Sequence, residues 1–227
     1  MSPLGSDAPE ERFSPETIEA GRLLFAAQVR FLKGVAGLDG LPDPFPLEIA
    51  LAGRSNVGKS SLLNALGNRR DLARTSNTPG RTRELNFYLA GDDRLAIVDL
   101  PGYGYAKAAK SLVGAWQSLI RSYLRGRASL RRVFVLIDAR HGVTKTDEAT
   151  LDLLDEAAVS YQLVLTKADK LKPPARERVR LDTAARVARR PAAHPHVHLT
   201  SSVTGAGIAD LRAEIAELLH GEASQAG

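Results

Sequence analysis

The stretch LEIALAGRSNVGKSSLLNAL, residues 47–66, decides the fold. Residues 47–53 form a short apolar run that reads as a buried strand, and 59–67 read as a helix. The turn between them, Gly53-Arg54-Ser55-Asn56-Val57-Gly58-Lys59-Ser60, fits the pattern G-x-x-x-x-G-K-[ST]. Each element has a physical reason. Gly53 and Gly58 let the backbone curl around phosphate oxygens with its N–H groups pointing inward. Lys59 supplies positive charge to the outer phosphates, and Ser60, followed by Ser61, offers a hydroxyl to Mg²⁺. The new helix adds its positive end. The competing reading is a Gly-rich strand–helix turn with no ligand.

Outward from this turn, apolar runs alternate with amphipathic ones. Strands are expected at 83–90, 94–100, 132–138, 161–166 and 196–200, and helices at 111–126, 145–158, 174–190 and 206–219. This alternation predicts an α/β protein, a three-layer α/β/α sandwich around a mostly parallel sheet. The short Gly-Asp-Asp link between 83–90 and 94–100 makes one strand antiparallel. Upstream, Ser14 caps a helix that starts at Pro15 and whose periodicity runs on to Gly37. The expected division is a disordered tail over 1–14, the N-terminal helix and a Pro/Gly-rich connector over 15–46, one domain over 47–220 and a flexible tail over 221–227.

The chain of 227 residues has no cysteine, which excludes disulfides, thiolate catalysis and cysteine-bound metal. No apolar run approaches a membrane span and the N-terminus is acidic, so the expectation is a cytoplasmic protein with no membrane partner, and nothing demands a dimer. The formal charge of +5 is compatible with a polyanionic partner or with a solvated, arginine-rich surface.

Three further elements follow the first in order. Asp99-Leu100-Pro101-Gly102 stands at a strand end, where Asp99 can hold Mg²⁺ through water and the Gly102 amide can meet a γ-phosphate. Thr166-Lys167-Ala168-Asp169 ends another strand. The Asp169 carboxylate can accept from the N1–H and 2-amino group of guanine, an arrangement adenine lacks, while the Lys167 stem can cover the base. Thr200-Ser201-Ser202 ends the last strand and can offer backbone N–H groups to guanine O6. Each alone is weak. Four in order at strand ends are strong, because ligands of open α/β sheets sit outside the carboxyl ends of strands.

GRSNVGKSSLLNAL, TSNTPGRTRELNFY, DLPGYGYAKA, TKADKL and TSS together resemble the EngB (YihA/YsxC) family of bacterial ribosome-assembly GTPases, within the translation-factor class, over roughly residues 30–220. The resemblance implies a P-loop GTPase domain that binds GTP and GDP, depends on Mg²⁺, acts with the large ribosomal subunit or its precursor, rRNA and ribosomal proteins included, and is needed for normal growth and septation. It implies a first switch over Gly80-Arg81-Thr82-Arg83-Glu84, with Thr82 as the second Mg²⁺ ligand beside Ser60 and Thr78 as its rival, and a second switch over Asp99–Gly102. Lys59, Thr82, Gly102 and Asn56 are the residues expected to serve hydrolysis. Thr166 departs from the general GTPase pattern, which has asparagine there, and a hydroxyl makes fewer hydrogen bonds than an amide.

Tyr103 stands where many such switches carry a water-orienting glutamine. Slow intrinsic turnover is the consequence, with stimulation by a partner or by K⁺ held at Asn56; the alternative is that Asn56 only supports the loop. Arg81 and Arg83 are further candidates for charge compensation. Tyr103, Tyr105, Lys107 and Lys110 interleave rings with charge in a manner suited to RNA, or pack under the loop. Residues 170–190 carry eight Lys/Arg against Glu177 and Asp182, a net +6, with Leu181, Ala184, Ala185 and Ala188 as the expected buried stripe. Arg121, Arg125, Arg127, Arg131 and Arg132 form a second basic set. His194, His196 and His198 alternate as surface histidines near a strand, or less simply as metal ligands. Two rival functions stand beside the ribosomal one: a GTP-gated adaptor for a protein partner in division, and a P-loop metabolic kinase, against which TKAD and TSS count.

Overall fold

A computed structural model describes residues 12–73, 84–103 and 119–225. Chain order gives α1 (Pro15–Leu24), β1 (Arg30–Val35), β2 (Leu47–Gly53), α2 (Lys59–Leu66), β3 (Leu85–Ala90), β4 (Leu95–Asp99), α3 (described over 119–126), β5 (Leu130–Asp138), α4 (Lys145–Glu156), β6 (Tyr161–Thr166), α5 (Pro173–Val187), β7 (His198–Leu199) and α6 (Ile208–Gln225). The seven strands form one sheet in the order β1-β3-β4-β2-β5-β6-β7. β3 is antiparallel to both of its neighbours, and the remaining pairs are parallel.

Strand alternation splits the core between the two faces. Leu47, Ile49 and Leu51 of β2 and Phe134 and Leu136 of β5 meet Leu62, Leu63 and Leu66 of α2, Leu211 and Ile215 of α6 and Leu24 of α1. Ala50 and Ala52, with Val133, Val135 and Ile137, meet Tyr123 of α3, Leu151 and Leu154 of α4 and Val187 of α5. All seven residues of β2 are buried, as a parallel strand covered on both faces requires.

The helix expected from Pro15 to Gly37 stops at Leu24. Ser14 caps it, accepting from the Thr17 amide at 3.2 Å, with Pro15 in the first turn. Arg30–Val35 is an edge strand instead, paired with β3 from Arg30↔Leu89 to Val35↔Leu85. Val29, Leu32 and Val35 satisfy a helical period, but β3 offers an open edge and Phe31 packs edge-on against Tyr88, centroids 5.4 Å apart. The stretch assigned to a helix and connector therefore contributes a strand to the sheet. The tail expected over 221–227 is likewise helical as far as Gln225.

One buried carboxylate ties the sheet's lower end together. Glu48 is fully buried in β2 and accepts from Arg127 Nη2 at 2.6 Å, Ser129 Oγ at 2.9 Å and Tyr123 Oη at 3.1 Å. These partners anchor the end of α3 and the entry to β5. Removing one member of a buried pair strands the other charge. Arg127→Ala is expected to lower unfolding free energy by about 3 kcal/mol in urea titrations; a loss below about 1 kcal/mol would mean that the two hydroxyls suffice for Glu48.

Candidate functional site

Parallel registration lines up the strand ends. Leu51 pairs with Asp99, Gly53 with Leu136, Asp138 with Thr166 and Leu165 with Leu199. The segments beginning at Gly53, Asp99, Thr166 and Thr200 therefore leave from one edge of the sheet. β2 is also the point from which the chain first builds one side of the sheet (β3, β4) and then the other (β5), the position where open α/β sheets form their crevice.

Gly53 ends β2 under a tight constraint. A Cβ there would lie 2.7 Å from Val57 Cγ1 and 3.1 Å from the Leu136 carbonyl oxygen. The loop then turns through left-handed backbone at Asn56 (φ 61°) and Gly58 (φ 112°). No side chain caps α2, so its first N–H groups remain open to an anion. Ser55 and Asn56 are exposed, and Lys59 and Ser60 are half-buried at the start of the helix.

Lys59 Nζ lies 3.7 Å from Asp99 Oδ1. That oxygen is buried and accepts no hydrogen bond among the described residues. Burial raises the Asp99 carboxyl above its ordinary range even though Lys59 pulls it down. A buried carboxylate oxygen without a donor, beside the Ser60 hydroxyl's helix turn, fits an outer partner of a hydrated divalent cation. Leu100 continues the β2–β4 pairing through its amide to the Leu51 carbonyl (3.0 Å), Pro101 is buried, and Gly102 packs against Ser55. Glu84, exposed, precedes β3 at this same edge. Gly80, Arg81, Thr82 and Arg83, with Thr78, and Tyr105, Lys107 and Lys110, lie outside the described residues.

The third and fourth segments are joined to the first. Thr166 Oγ1 donates to the Val57 carbonyl at 2.7 Å and to Ile137 at 3.2 Å. Its hydroxyl thus braces the glycine-rich loop rather than turning to a base. Lys167, at φ 59°, donates to the Asn56 carbonyl at 2.8 Å and pairs with Asp138 at 2.9 Å. Ala168 is buried, its amide bonded to the Thr200 carbonyl at 3.0 Å. Asp169 accepts from Ser201 Oγ at 2.7 Å and lies 3.2 Å from Lys170 Nζ; these hold its carboxyl below the ordinary range, Ser201 most of all. The Thr200 and Ser201 amides donate to Leu165 and Ala206. The Ser202 amide is tied to no backbone carbonyl in this way among the described residues.

Two carboxylates at the site were not anticipated. Asp138 ends β5 and is bonded by Arg140 and Lys167. Burial would raise it, but these partners hold it well below the ordinary range. Its place after an apolar run is the only signal for it in the sequence. Asp147 is fully buried in the first turn of α4, where it closes a capping box with the Thr144 amide at 2.8 Å and hydroxyl at 2.7 Å. The spacing Thr-x-x-Asp announces that cap but not its other partner. Tyr103 Oη donates to Asp147 Oδ1 at 3.0 Å, and burial followed by Asp147 drives the phenol well above its usual range. The ring packs into the core, so Tyr103 is not a free stacking surface for RNA.

Comparison with known proteins bears on this arrangement. A family model described as "50S ribosome-binding GTPase" matches residues 48–167. A probable GTP-binding protein EngB of Roseobacter denitrificans is 57% identical over 202 residues, covering 89% of this chain and 93% of its own length. Its counterpart in Hyphomonas neptunium is 56% identical over 213 residues, covering 93% and 96%. The chain belongs to the EngB family of GTP-binding proteins. EngB membership makes it a guanine-nucleotide-binding P-loop GTPase. The crystal structure of a probable GTP-binding protein engB has the same fold, with a TM-score of 0.61 at 23% identity over 76% of this chain and 98% of that one. The structure of Era with MgGDPNP and a 16S rRNA segment aligns at a TM-score of 0.60 and 22% identity, over 75% and 55%.

The basic surfaces differ from the sequence reading. α5 buries Thr183 and Val187, with Val179 and Ala184 beside them, while Leu181 is 53% exposed and Ala185 and Ala188 also face out. Several of its cations are engaged: Arg180 with Glu177, Arg186 with Glu148, and Arg190 with Asp152 and Asp155. In the second set Arg127 belongs to Glu48 and Arg132 to Glu214.

The three histidines are not a surface row either. His198 is 3% exposed, with Nε2 3.3 Å from Glu214, which Arg12, Arg132 and Gln162 also contact. No group of three potential ligands for a metal occurs among the described residues. Burial, aided by His198 and Arg12, pushes the His196 imidazole down to about 4, and burial lowers His194 as well. An unfolded chain takes up that proton near its ordinary value of 6.5, before the folded one does. Stability from these residues is therefore complete above about pH 6.5 and lost as pH falls toward about 4. The urea midpoint should be flat from about pH 7 to 8 and fall over that window, with a shallower fall in His196→Gln; an unchanged slope in the variant would assign the effect elsewhere.

Proposed function

We propose that this chain is a GTP-driven switch with slow, Mg²⁺-dependent GTPase activity that serves assembly of the large ribosomal subunit, in the cytoplasm, and through it normal division. The observation that carries the nucleotide assignment is the direct linkage of the two halves of the site: Thr166 and Lys167, next to the carboxylate that would select guanine, are bonded to Val57 and Asn56 of the loop that would hold phosphate. The base would be read by Asp169, kept ionised by Ser201, with the Ser202 amide at O6 and the Lys167 stem along its face. Phosphates would lie in the loop of residues 53–61, on the open amides at the α2 terminus. Mg²⁺, when bound, neutralises charge on the outer phosphates; Ser60 and Thr82 would ligate it and Asp99 would hold its water.

In hydrolysis, Lys59 stabilises charge developing on the outer phosphate oxygens, and Gly102 presents its amide to the terminal one. Tyr103, turned to Asp147, orients no water, which supports a slow intrinsic rate. A partner, or K⁺ at Asn56, would supply the missing compensation. The ribosomal role is supported by the family description, which names binding to the 50S ribosome. The pairing of Arg180, Arg186 and Arg190 with carboxylates favours a second reading, a GTP-gated adaptor for a protein partner in division, since it reduces the positive charge that α5 offers to RNA.

Three measurements test these assignments. Asp169→Asn should shift preference from guanine to xanthine nucleotides, and retained guanine preference would remove Asp169 from base recognition. Co-sedimentation with large ribosomal subunits should favour a non-hydrolysable GTP analogue over GDP and weaken as salt rises. Equal, negligible binding in both states would favour the adaptor. GTP turnover on those subunits, run in K⁺ and in Na⁺, assigns the stimulation, and equal rates would exclude K⁺ at Asn56.

A further inference from the structure

Beyond Asp99 the chain remains attached to the phosphate loop. The Tyr103 amide donates to the Gly53 carbonyl at 3.2 Å, and the Ser55 amide donates to the Tyr103 carbonyl at 3.3 Å. Arg54 and Tyr103 form a parallel bridge beyond the ends of β2 and β4. Gly102 is caught between them, so close that a Cβ on it would lie 3.1 Å from both the amide nitrogen and Oγ of Ser55. The side chains of the same two residues converge on one group. Tyr103 Oη is 3.0 Å and Arg54 Nε 3.5 Å from Asp147 Oδ1, while Asp147 Oδ2 is fixed by Thr144. Arg54 Nε is buried and makes no hydrogen bond among the described residues, so its relation to Asp147 is ionic. Asp147 itself is shut away from solvent, and Arg54 is its link to the phosphate loop among the described residues.

We infer that Asp147 is a positioning residue for the GTPase reaction: through Tyr103 and Arg54 it holds Gly102 against the phosphate loop, where the Gly102 amide meets the terminal phosphate. The inference rests on the reading of residues 53–60 and 99–102 as the phosphate site given above. Its physical content is a lever. The Tyr103 hydroxyl is a donor to a buried carboxylate, a charged hydrogen bond of the stronger kind. The ring it fixes lies one residue beyond Gly102, so the backbone at Gly102 cannot swing away without breaking that bond or the two to Gly53 and Ser55. α4, which carries Asp147, thereby becomes part of the device that distinguishes GTP from GDP. A glutamine in place of Tyr103 would orient water. The tyrosine instead orients the backbone before it.

The test is Tyr103→Phe, which removes one hydroxyl and keeps the ring. With fluorescent nucleotides in the full chain, the affinity ratio of a non-hydrolysable GTP analogue to GDP should fall about tenfold. Single-turnover hydrolysis should fall with it, and GDP affinity should change little. Asp147→Leu, which removes both acceptor oxygens, should have the same effect on the ratio, and the double variant should be no worse than either single one, because all three break the Tyr103–Asp147 bond. A merely structural bond would lower the melting temperature and leave the ratio unchanged, and that result overturns the inference. If Asp147→Leu fails to fold through loss of its cap, Tyr103→Phe alone decides. A wild-type chain that does not distinguish the analogue from GDP would refute the site assignment itself, an outcome separate from wild-type discrimination that survives in Tyr103→Phe.

Discussion

The site depends on the way β2 ends. This strand is buried along its whole length between β4 and β5, and its last residue must turn the chain back over Leu136 and under Val57 without a side chain. Gly53 is the only residue type without a Cβ to clash there. Once the turn is made, left-handed backbone at Asn56 and Gly58 leaves α2 uncapped and aimed at the crevice. Every other contribution is measured from that point. Asp99 comes from the strand on one side of β2 and Asp138 from the strand on the other, while Asp169 and Ser201 come from farther along the same edge.

The loop is not an independent cradle. Thr166 and Lys167 bond to its carbonyls, and Lys167 is in turn held by Asp138. On the other flank, Gly53 and Ser55 bond to Tyr103, and Tyr103 bonds to α4. With those carbonyls engaged and the Ser55 and Val57 amides bonded to Tyr103 and Arg54, the uncapped first amides of α2 are the ones left open toward the crevice. The same bonds tie the segment after Asp99 and the segment at the end of β6 to one piece of backbone. The threonine in place of the usual asparagine fits this picture, since bracing the loop requires only one donor.

Much of this was legible in order along the chain. The glycines, lysine and serine of 53–60 and the carboxylates at 99 and 169 are recognisable because each residue type carries in itself the chemistry proposed for it. The alternation of strands and helices placed them at one edge. Residues 30–35 misled because Val29, Leu32 and Val35 fit a helical period, and only the free edge of β3 makes them a strand. The stripe of α5 misled in a similar way: Leu181 is the largest apolar residue of that helix, yet the sheet receives Val179, Thr183 and Val187. Asp147 carried the signature of a helix cap, and a cap says nothing about a tyrosine 44 residues earlier.

The sequence by itself determined the class of fold, the nucleotide-binding turn and the family, because local periodicity and short motifs encode interactions between residues near one another. Only the tertiary structure decided which charges are available and which are already paired. Arg127 and Arg132 look like surface cations and are bound to Glu48 and Glu214, and His198 looks exposed and is buried beside Glu214. Likewise, Tyr103 looks like a ring for a partner and is fixed to α4. The physical reason is common to them all: a charge or a hydroxyl is defined by what faces it, and in this fold what faces it arrives from a distant strand or helix.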